Sequence, residues 1–129
     1  YAKELGANNI VFHGEYSPEE RYEFVKNTDL IHNIYNTANM MLAMGNKYYD
    51  GPIFYIPQLC MKDSFMEKCA SDAGIGLSCD PFCEDFTDSI VNYYSDLDRE
   101  RFKKNCDAEL DRIVKQYDEA SEYLREAFR

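Results

Sequence analysis

The sequence lacks the features that would place a protein in a membrane or a secretory pathway. It has no run of about 18 apolar residues, which excludes a transmembrane helix. Tyr1 to Asn9 contain no basic stretch followed by an apolar one, so no signal peptide is indicated. The chain does not begin with Met, and we expect it to be a piece of a longer, cytoplasmic protein.

Basic residues are scarce. The chain has 24 Asp and Glu but only 14 Lys and Arg, which gives a net charge of −10. A compact surface of this charge repels a phosphate backbone, so nucleic acid is excluded as an expected partner. Residues 1–95 carry 14 acids and 6 bases and residues 96–129 carry 10 and 8, so the C-terminal part is a mixed-charge segment.

The cysteines form no C-x-x-C pair and their number is odd. They are Cys60, Cys69, Cys79, Cys83 and Cys106. Without a secretory signal, we expect reduced and mostly buried thiols that act as small hydrophobic residues. Only His13 and His32 could join them in a zinc site, and we expect neither a metal ion nor a cofactor.

Apolar and aromatic residues are plentiful: 45% of the chain is hydrophobic, which excludes disorder of the whole chain. Four short apolar runs alternate with helical patterns. These runs are Ile10–Phe12, Asp29–Tyr35, Pro57–Cys60 and Gly74–Cys79. The alternation predicts an α/β fold, with a Rossmann-like parallel sheet of about four strands, flanking helices and right-handed crossovers. We expect residues 1–129 to form a single, partial domain.

One helix start is marked clearly, whereas the segment from Asn36 to Gly45 is harder to assign. Ser17 and Glu20 form a capping box with Pro18 between them, which predicts a helix to about Asn27. The apolar stretch Met40–Met44 predicts a short helix that Gly45 ends.

The C-terminal segment, residues 97–129, has an apolar stripe at steps of three or four residues. Its members are Phe102, Cys106, Leu110, Ile113, Tyr117, Ala120 and Leu124. This spacing predicts one long amphipathic helix or two consecutive helices, and the stripe is typical of packing rather than of ligand binding.

A possible phosphate site lies where the next helix begins. Asn46 opens this helix, whose free N–H groups and positive dipole end suit a phosphate, and Lys47 adds a cation. Asp50, one turn further on, could accept hydrogen bonds from a ribose. In the alternative interpretation, Asn46 only caps the helix and the two charged side chains are solvated. Pro52 should kink the helix or end it early.

This segment resembles the C-terminal lobe of two-lobed GT-B glycosyltransferases. That family has a helix beginning Asn-Lys-x-x-Asp/Glu and a Pro eleven residues after the Asn, as at Asn46 and Pro57 here. Further segments match in order: Val11–Gly14, Ser17–Glu20, Thr28–Ile31 and Gly74–Leu77. The nearest resemblance is to bacterial enzymes of capsular polysaccharide and exopolysaccharide synthesis. Two positions differ, with Leu42 where many members have an acid and Tyr55 where they have Gly.

The resemblance implies a glycosyltransferase whose lobe binds a nucleotide-diphosphate sugar. Asn46 and Lys47 would face the pyrophosphate and Asp50 the ribose. The turn that would lie near the base contains His13, Gly14, Glu15 and Tyr16. The acceptor, a saccharide or lipid-linked saccharide, would bind an N-terminal lobe outside this chain. The catalytic residues are therefore unknown, and we expect this chain alone to be inactive. The full-length enzyme would be cytoplasmic or peripheral to the inner face of the membrane.

Strand ends supply the remaining candidates. Tyr35 and Asn36, together with Asn33, follow the second predicted strand and would line the cleft, because parallel sheets bind ligands at the carboxyl ends of their strands. His13 could contact the donor, although a lone histidine is more often a structural hydrogen-bonding group.

Two other classes of function remain open. The first is a flavodoxin-like or receiver-like α/β binding module, which requires an acidic cluster after its first strand. The second is an interaction module, in which the C-terminal helix pairs with another chain or with a second copy. In that case Tyr117 to Phe128 would lie exposed in the monomer.

Overall fold

The fold is α/β, as predicted. The computed structural model describes residues 4–128 and has three strands and six helices in that range. The strands are β1 (Ile31–Asn33), β2 (Gln58–Met61) and β3 (Gly76–Cys79). The helices are α1 (Arg21–Val25), α2 (Ala38–Leu42), α3 (Asn46–Phe54), α4 (Phe65–Ala73), α5 (Phe86–Ser95) and α6 (Arg99–Ala127).

The sheet is parallel throughout and has the strand order β1-β2-β3. Ile31 lies beside Gln58, and Gln58 lies beside Gly76. Helices α2 and α3 connect β1 to β2, and α4 connects β2 to β3. Because both connections advance the sheet in the same direction, right-handed crossovers place α3 and α4 on the same face. The carboxyl ends of all three strands therefore meet at one edge.

The predicted first strand, Ile10–Phe12, does not form, so the sheet has three strands where about four were expected. These three residues are irregular and 50%, 72% and 82% exposed. A strand needs a neighbouring edge to pair its backbone groups, and a short apolar run does not specify that edge. The segment instead leads into a turn at Gly14, whose φ is +79°.

Helix α3 continues through Pro52, so the early end expected there does not occur. Proline cannot donate to the carbonyl of Tyr48, one turn earlier. That carbonyl accepts a hydrogen bond from Gln58 Nε2 at 3.0 Å instead, and Gln58 Oε1 accepts one from Asn33 Nδ2 at 2.8 Å. Gly51 leaves room for this amide, because a Cβ there would lie 2.3 Å from Gln58 Nε2.

The core lies where α6 crosses α3 and α4. Its buried members are Tyr48, Cys60, Met66, Ala70, Ile75, Phe102 and Cys106. Asp98 starts α6 by accepting hydrogen bonds from the N–H groups of Glu100 and Arg101. Three of the five free thiols are buried and Cys83 is exposed, which agrees with the prediction of mostly buried cysteines.

Candidate functional site: the carboxyl edge of the sheet

A cavity of about 340 Å³ opens at the carboxyl edge of the sheet. Its walls come from the residues after β1, the beginning of α2 and the turn after β3. They are Ile34, Tyr35, Asn36, Thr37, Met40 and Pro81. This is the edge at which open parallel sheets bind ligands. Tyr35 and Asn36, both predicted from the sequence, thus line a cavity at the predicted edge.

The first turn of α3 lies beside this cavity. Lys47 Nζ donates a hydrogen bond to the Tyr35 hydroxyl at 3.3 Å, and Tyr35 forms part of the cavity wall. Gly45 is the N-cap and Asn46 the first helical residue, so Asn46 does not cap the helix. No side chain caps this helix start, but Gly45 N–H contacts Met66 Sδ and Tyr48 N–H donates to the Gly45 carbonyl. The N–H groups of Asn46 and Lys47 are therefore the ones that a ligand could use.

Asp50 points to a different neighbour. Its Oδ1 lies 3.2 Å from Arg21 Nη1 of α1, and its side chain is 17% exposed. The carboxylate therefore ties α3 to α1 and already has a cationic partner. Its predicted contact with a ribose would have to share the carboxylate with Arg21.

The N-terminal candidates pack against α1. The rings of His13 and Tyr16 lie 5.1 Å and 5.3 Å from the ring of Phe24. Gly14, between them, turns the chain with its positive φ. Tyr35, Asn36 and Lys47 thus lie at the edge cavity, with Asn46 next to Lys47 in the first turn of α3. His13 and Tyr16 pack around Phe24, and Asp50 pairs with Arg21.

The sequence marks the end of the last predicted strand, after Cys79, as a place where a ligand could bind, but no residue of that turn is among the predicted site residues. Pro81, which follows β3, reaches the same cavity as Tyr35, which follows β1, although β2 lies between these two strands. The available signal was the rule about carboxyl ends, applied to the last predicted strand as well as to the second. Met40, predicted as part of a short helix, also lines this cavity.

A second polar cluster lies inside the protein and was not predicted. Glu109 accepts hydrogen bonds from the Tyr48 hydroxyl at 2.6 Å and from Arg112 Nε and Nη2 at 2.7 and 2.6 Å. Burial, followed by the hydrogen bond to Glu109, raises the pKa of Tyr48 far above its usual value. Since Glu109 is only 4% exposed and uses both oxygens, this cluster stabilises the contact between α3 and α6.

The comparisons with known proteins do not identify a relative. No family model, curated protein or solved structure matches the chain. Within residues 4–128, no helix is both long and apolar enough to cross a membrane. In the same range, no three His, Cys, Asp or Glu side chains are grouped so that they could hold a metal ion.

Proposed function

We propose that this chain is part of the donor-binding lobe of a GT-B glycosyltransferase, and that its carboxyl edge binds the diphosphate of a nucleotide sugar. The observation that carries the proposal is the 3.3 Å contact between Lys47 Nζ and the Tyr35 hydroxyl. It joins the only cation of the α3 first turn to the wall of the edge cavity. The resemblance of Asn46 to Pro57 to the family pattern supports the same assignment.

The electrostatics of this corner favour an anion despite the acidic chain. Residues 1–95 contain only 6 bases, and one of them stands at an uncapped helix start. Helix N–H groups and a lysine together suit a diphosphate, because both bind its charged oxygens more strongly than they bind water. In the full enzyme they would stabilise the charge that develops on the leaving diphosphate.

The neighbouring cavity is suited to a ring attached to that diphosphate. Its volume of about 340 Å³ lies at the lower end of small-molecule sites. Met40 and Pro81 provide apolar walls, and Asn36 adds an amide that can both donate and accept hydrogen bonds. We assign this cavity to the sugar or base next to the diphosphate, and the acceptor to a lobe outside this chain.

The receiver-like alternative is not favoured by the same edge. A receiver requires acidic side chains after its first strand. The residues that follow β1 are Ile34, Tyr35 and Asn36, and none of them is acidic.

An amide chemical-shift titration with UDP and GDP in parallel tests the proposal. We expect shifts at Gly45 to Tyr48 and at Tyr35 and Asn36, and the tighter ligand indicates the donor base. Lys47→Ala should weaken binding about tenfold, since it removes a charge-assisted contact worth roughly 1.5 kcal/mol. Lys104→Ala, on the exposed surface of α6, is the matched control and should leave binding unchanged.

Two results would contradict this assignment. Millimolar nucleotide that shifts no amide at the edge would remove the site from this chain. Binding that Lys47→Ala and Lys104→Ala weaken equally would indicate non-specific attraction between charges rather than a site at α3.

A further inference from the structure

The C-terminal half of α6 carries a wide uncharged face. Written as heptads, residues 110–128 place every charged side chain at three of the seven positions. The other four positions form what we call the α6 face. Its members are Leu110, Ile113, Val114, Gln116, Tyr117, Ala120, Ser121, Tyr123, Leu124, Ala127 and Phe128.

Most of the large side chains on the α6 face are exposed. Val114, Tyr117, Tyr123, Leu124 and Phe128 are 58%, 71%, 73%, 55% and 87% exposed. Contiguous apolar surface of this kind is uncommon on a monomer and marks an interaction site.

The α6 face continues into a groove of about 550 Å³ on the body of the protein. Ile113 and Tyr117 belong to both, and the opposite walls include Met44, Tyr49 and Phe65. The apolar surface therefore extends from the C-terminal part of α6 to its junction with α3 and α4.

We propose that the α6 face binds the α6 face of a second copy of this chain in an antiparallel pair, with the two-fold axis between Ala120 and Ser121. This proposal is independent of the sugar-donor site. It rests on the order of side-chain sizes, on the distribution of charge and on the area available.

The sizes are arranged symmetrically about this axis. Tyr117 then lies opposite Leu124 of the second copy, and Ala120 lies opposite its Ser121. The small residues at the centre allow the two helices to approach closely, while large apolar residues meet on either side. Phe128 of the second copy falls opposite Ile113, where the groove can receive its ring.

Charge favours the antiparallel orientation. Residues 1–95 have 14 acids and 6 bases, so the two bodies repel each other at short range. At 1.5 Å per residue, antiparallel helices centred on Ala120 hold the two copies of Cys106 about 40 Å apart, well beyond the Debye length of about 10 Å. Parallel helices would place the acidic bodies side by side.

The exposed area is sufficient for a stable pair. Tyr117 and Phe128 offer about 150 Å² each and Val114 and Leu124 about 100 Å² each, so two copies bury about 1,000 Å² along the centre of the pair. Tyr123 lies at the flank, opposite Asp118 of the second copy, and adds to this area. The total therefore reaches the value of about 1,000 Å² that a specific interface needs.

Sedimentation equilibrium of this chain tests the pairing. One copy has a mass of 15.1 kDa, and we expect about 30 kDa, twice that value, at tens of micromolar protein. Ala120→Arg places a large charge at the centre of the interface and should weaken the dimer at least a hundredfold. Glu122→Arg introduces the same side chain on the charged side of α6 and should leave the dimer intact. Circular dichroism checks that both variants fold, as both positions are exposed.

Disulfide cross-linking in a Cys83→Ser background tests the orientation. In the antiparallel pair, the two side chains introduced by Ser121→Cys, one from each copy, lie next to each other and should cross-link. The two copies of Tyr117→Cys are offset by about 10 Å along the helices and should not. Parallel helices would cross-link both variants and overturn the orientation.

A monomer at 0.5 mM, or a dimer that Ala120→Arg leaves unchanged, would overturn the proposal. In the first case another part of the full-length protein covers the α6 face. In the second, the copies associate through a different surface.

Discussion

The two halves of α6 share one apolar pattern but have opposite surroundings. In the first half, Phe102 and Cys106 are 3% and 0% exposed. In the second half, Tyr117 and Tyr123 of the same helix are 71% and 73% exposed. Periodicity therefore states which side of a helix is apolar, but not whether another element covers it.

Helix length explains the difference. Helix α6 has 29 residues and is about 44 Å long, whereas α3 and α4 have nine residues each and are about 14 Å long. The two short helices lie against the first part of α6 and cannot reach its end.

The largest contrast should come from truncating one aromatic residue in each half. Phe102→Ala leaves a cavity in the core and should lower the free energy of unfolding by about 4 kcal/mol. Tyr123→Ala should change it by less than about 0.5 kcal/mol, because the ring is already in water. Urea denaturation at low micromolar protein, where a dimer is dissociated, measures both. Equal losses would show that the C-terminal half is packed in the monomer.

A second contrast compares two glutamates of α6. Glu109→Ala leaves the buried Tyr48 hydroxyl without its acceptor and should lower the free energy of unfolding by about 3 kcal/mol. Glu119 is 66% exposed and lies 3.9 Å from Lys115, so Glu119→Ala should lower it by about 0.3 kcal/mol. Thermal melts monitored by circular dichroism separate these values, and similar melting temperatures would refute the structural role of the buried cluster.

A smaller effect is expected in α3, beneath the buried half of α6. Gly51→Ala would push Gln58 from its hydrogen bond to the Tyr48 carbonyl, so the free energy of unfolding should fall by about 2 kcal/mol. Gly45→Ala is the matched control, since its Cβ would meet Met66 Sδ at an ordinary 3.5 Å. Urea denaturation that shows no difference between the two variants would mean that the Gln58 amide can move without cost.

The smallest contrast concerns pH and the thiols. Burial raises the pKa of Cys106 from 9.0 to about 12, so the folded state keeps this proton while the unfolded state loses it. The free energy of unfolding should therefore fall between about pH 9 and 12, by roughly 1 kcal/mol per pH unit for this thiol.

Two cysteine variants test whether Cys106 causes this loss of stability at alkaline pH. Under reducing conditions, Cys106→Ala should make the decrease between pH 9 and 10.5 shallower than in the wild type. Cys83→Ala should leave it closer to the wild type, because Cys83 is exposed. Identical slopes in both variants would attribute the loss to other groups, such as the half-buried Tyr93, whose pKa burial raises to about 12.

Local signals predicted α1, α2, α3, α6 and the three strands, with errors of a few residues at their ends. Ser17 donates its N–H to Glu20 Oε2 at 2.6 Å, which is half of the predicted capping box, although regular helix begins only at Arg21. The glycosyltransferase pattern expects Gly at residue 55, and Tyr55 adopts the left-handed conformation there with φ of 54°. Its hydroxyl donates to Asp107 Oδ1 at 2.7 Å, which helps to hold this conformation.

The candidate site was only partly predictable. The carboxyl-edge rule selects Tyr35 and Asn36, which follow a predicted strand, and Lys47 is selected because it stands at a predicted helix start. The rule cannot show that Arg21 pairs with Asp50, since that contact depends on how α1 lies against α3. Nor can it show that the ring of His13 packs against Phe24 of α1.

The sequence by itself determined which segments are helical, the parallel α/β class and the apolar side of α6, since these follow from periodicity, caps and crossover handedness within short stretches. Tertiary structure alone decided that Ile10–Phe12 has no strand partner and that Gln58 replaces the hydrogen bond lost at Pro52. It also decided that α6 extends beyond the helices packed against it. Each of these depends on an edge, a donor or a helix length contributed by residues distant in the chain. Local sequence patterns contain no information about these distant residues, so the three features arise only when the elements pack together.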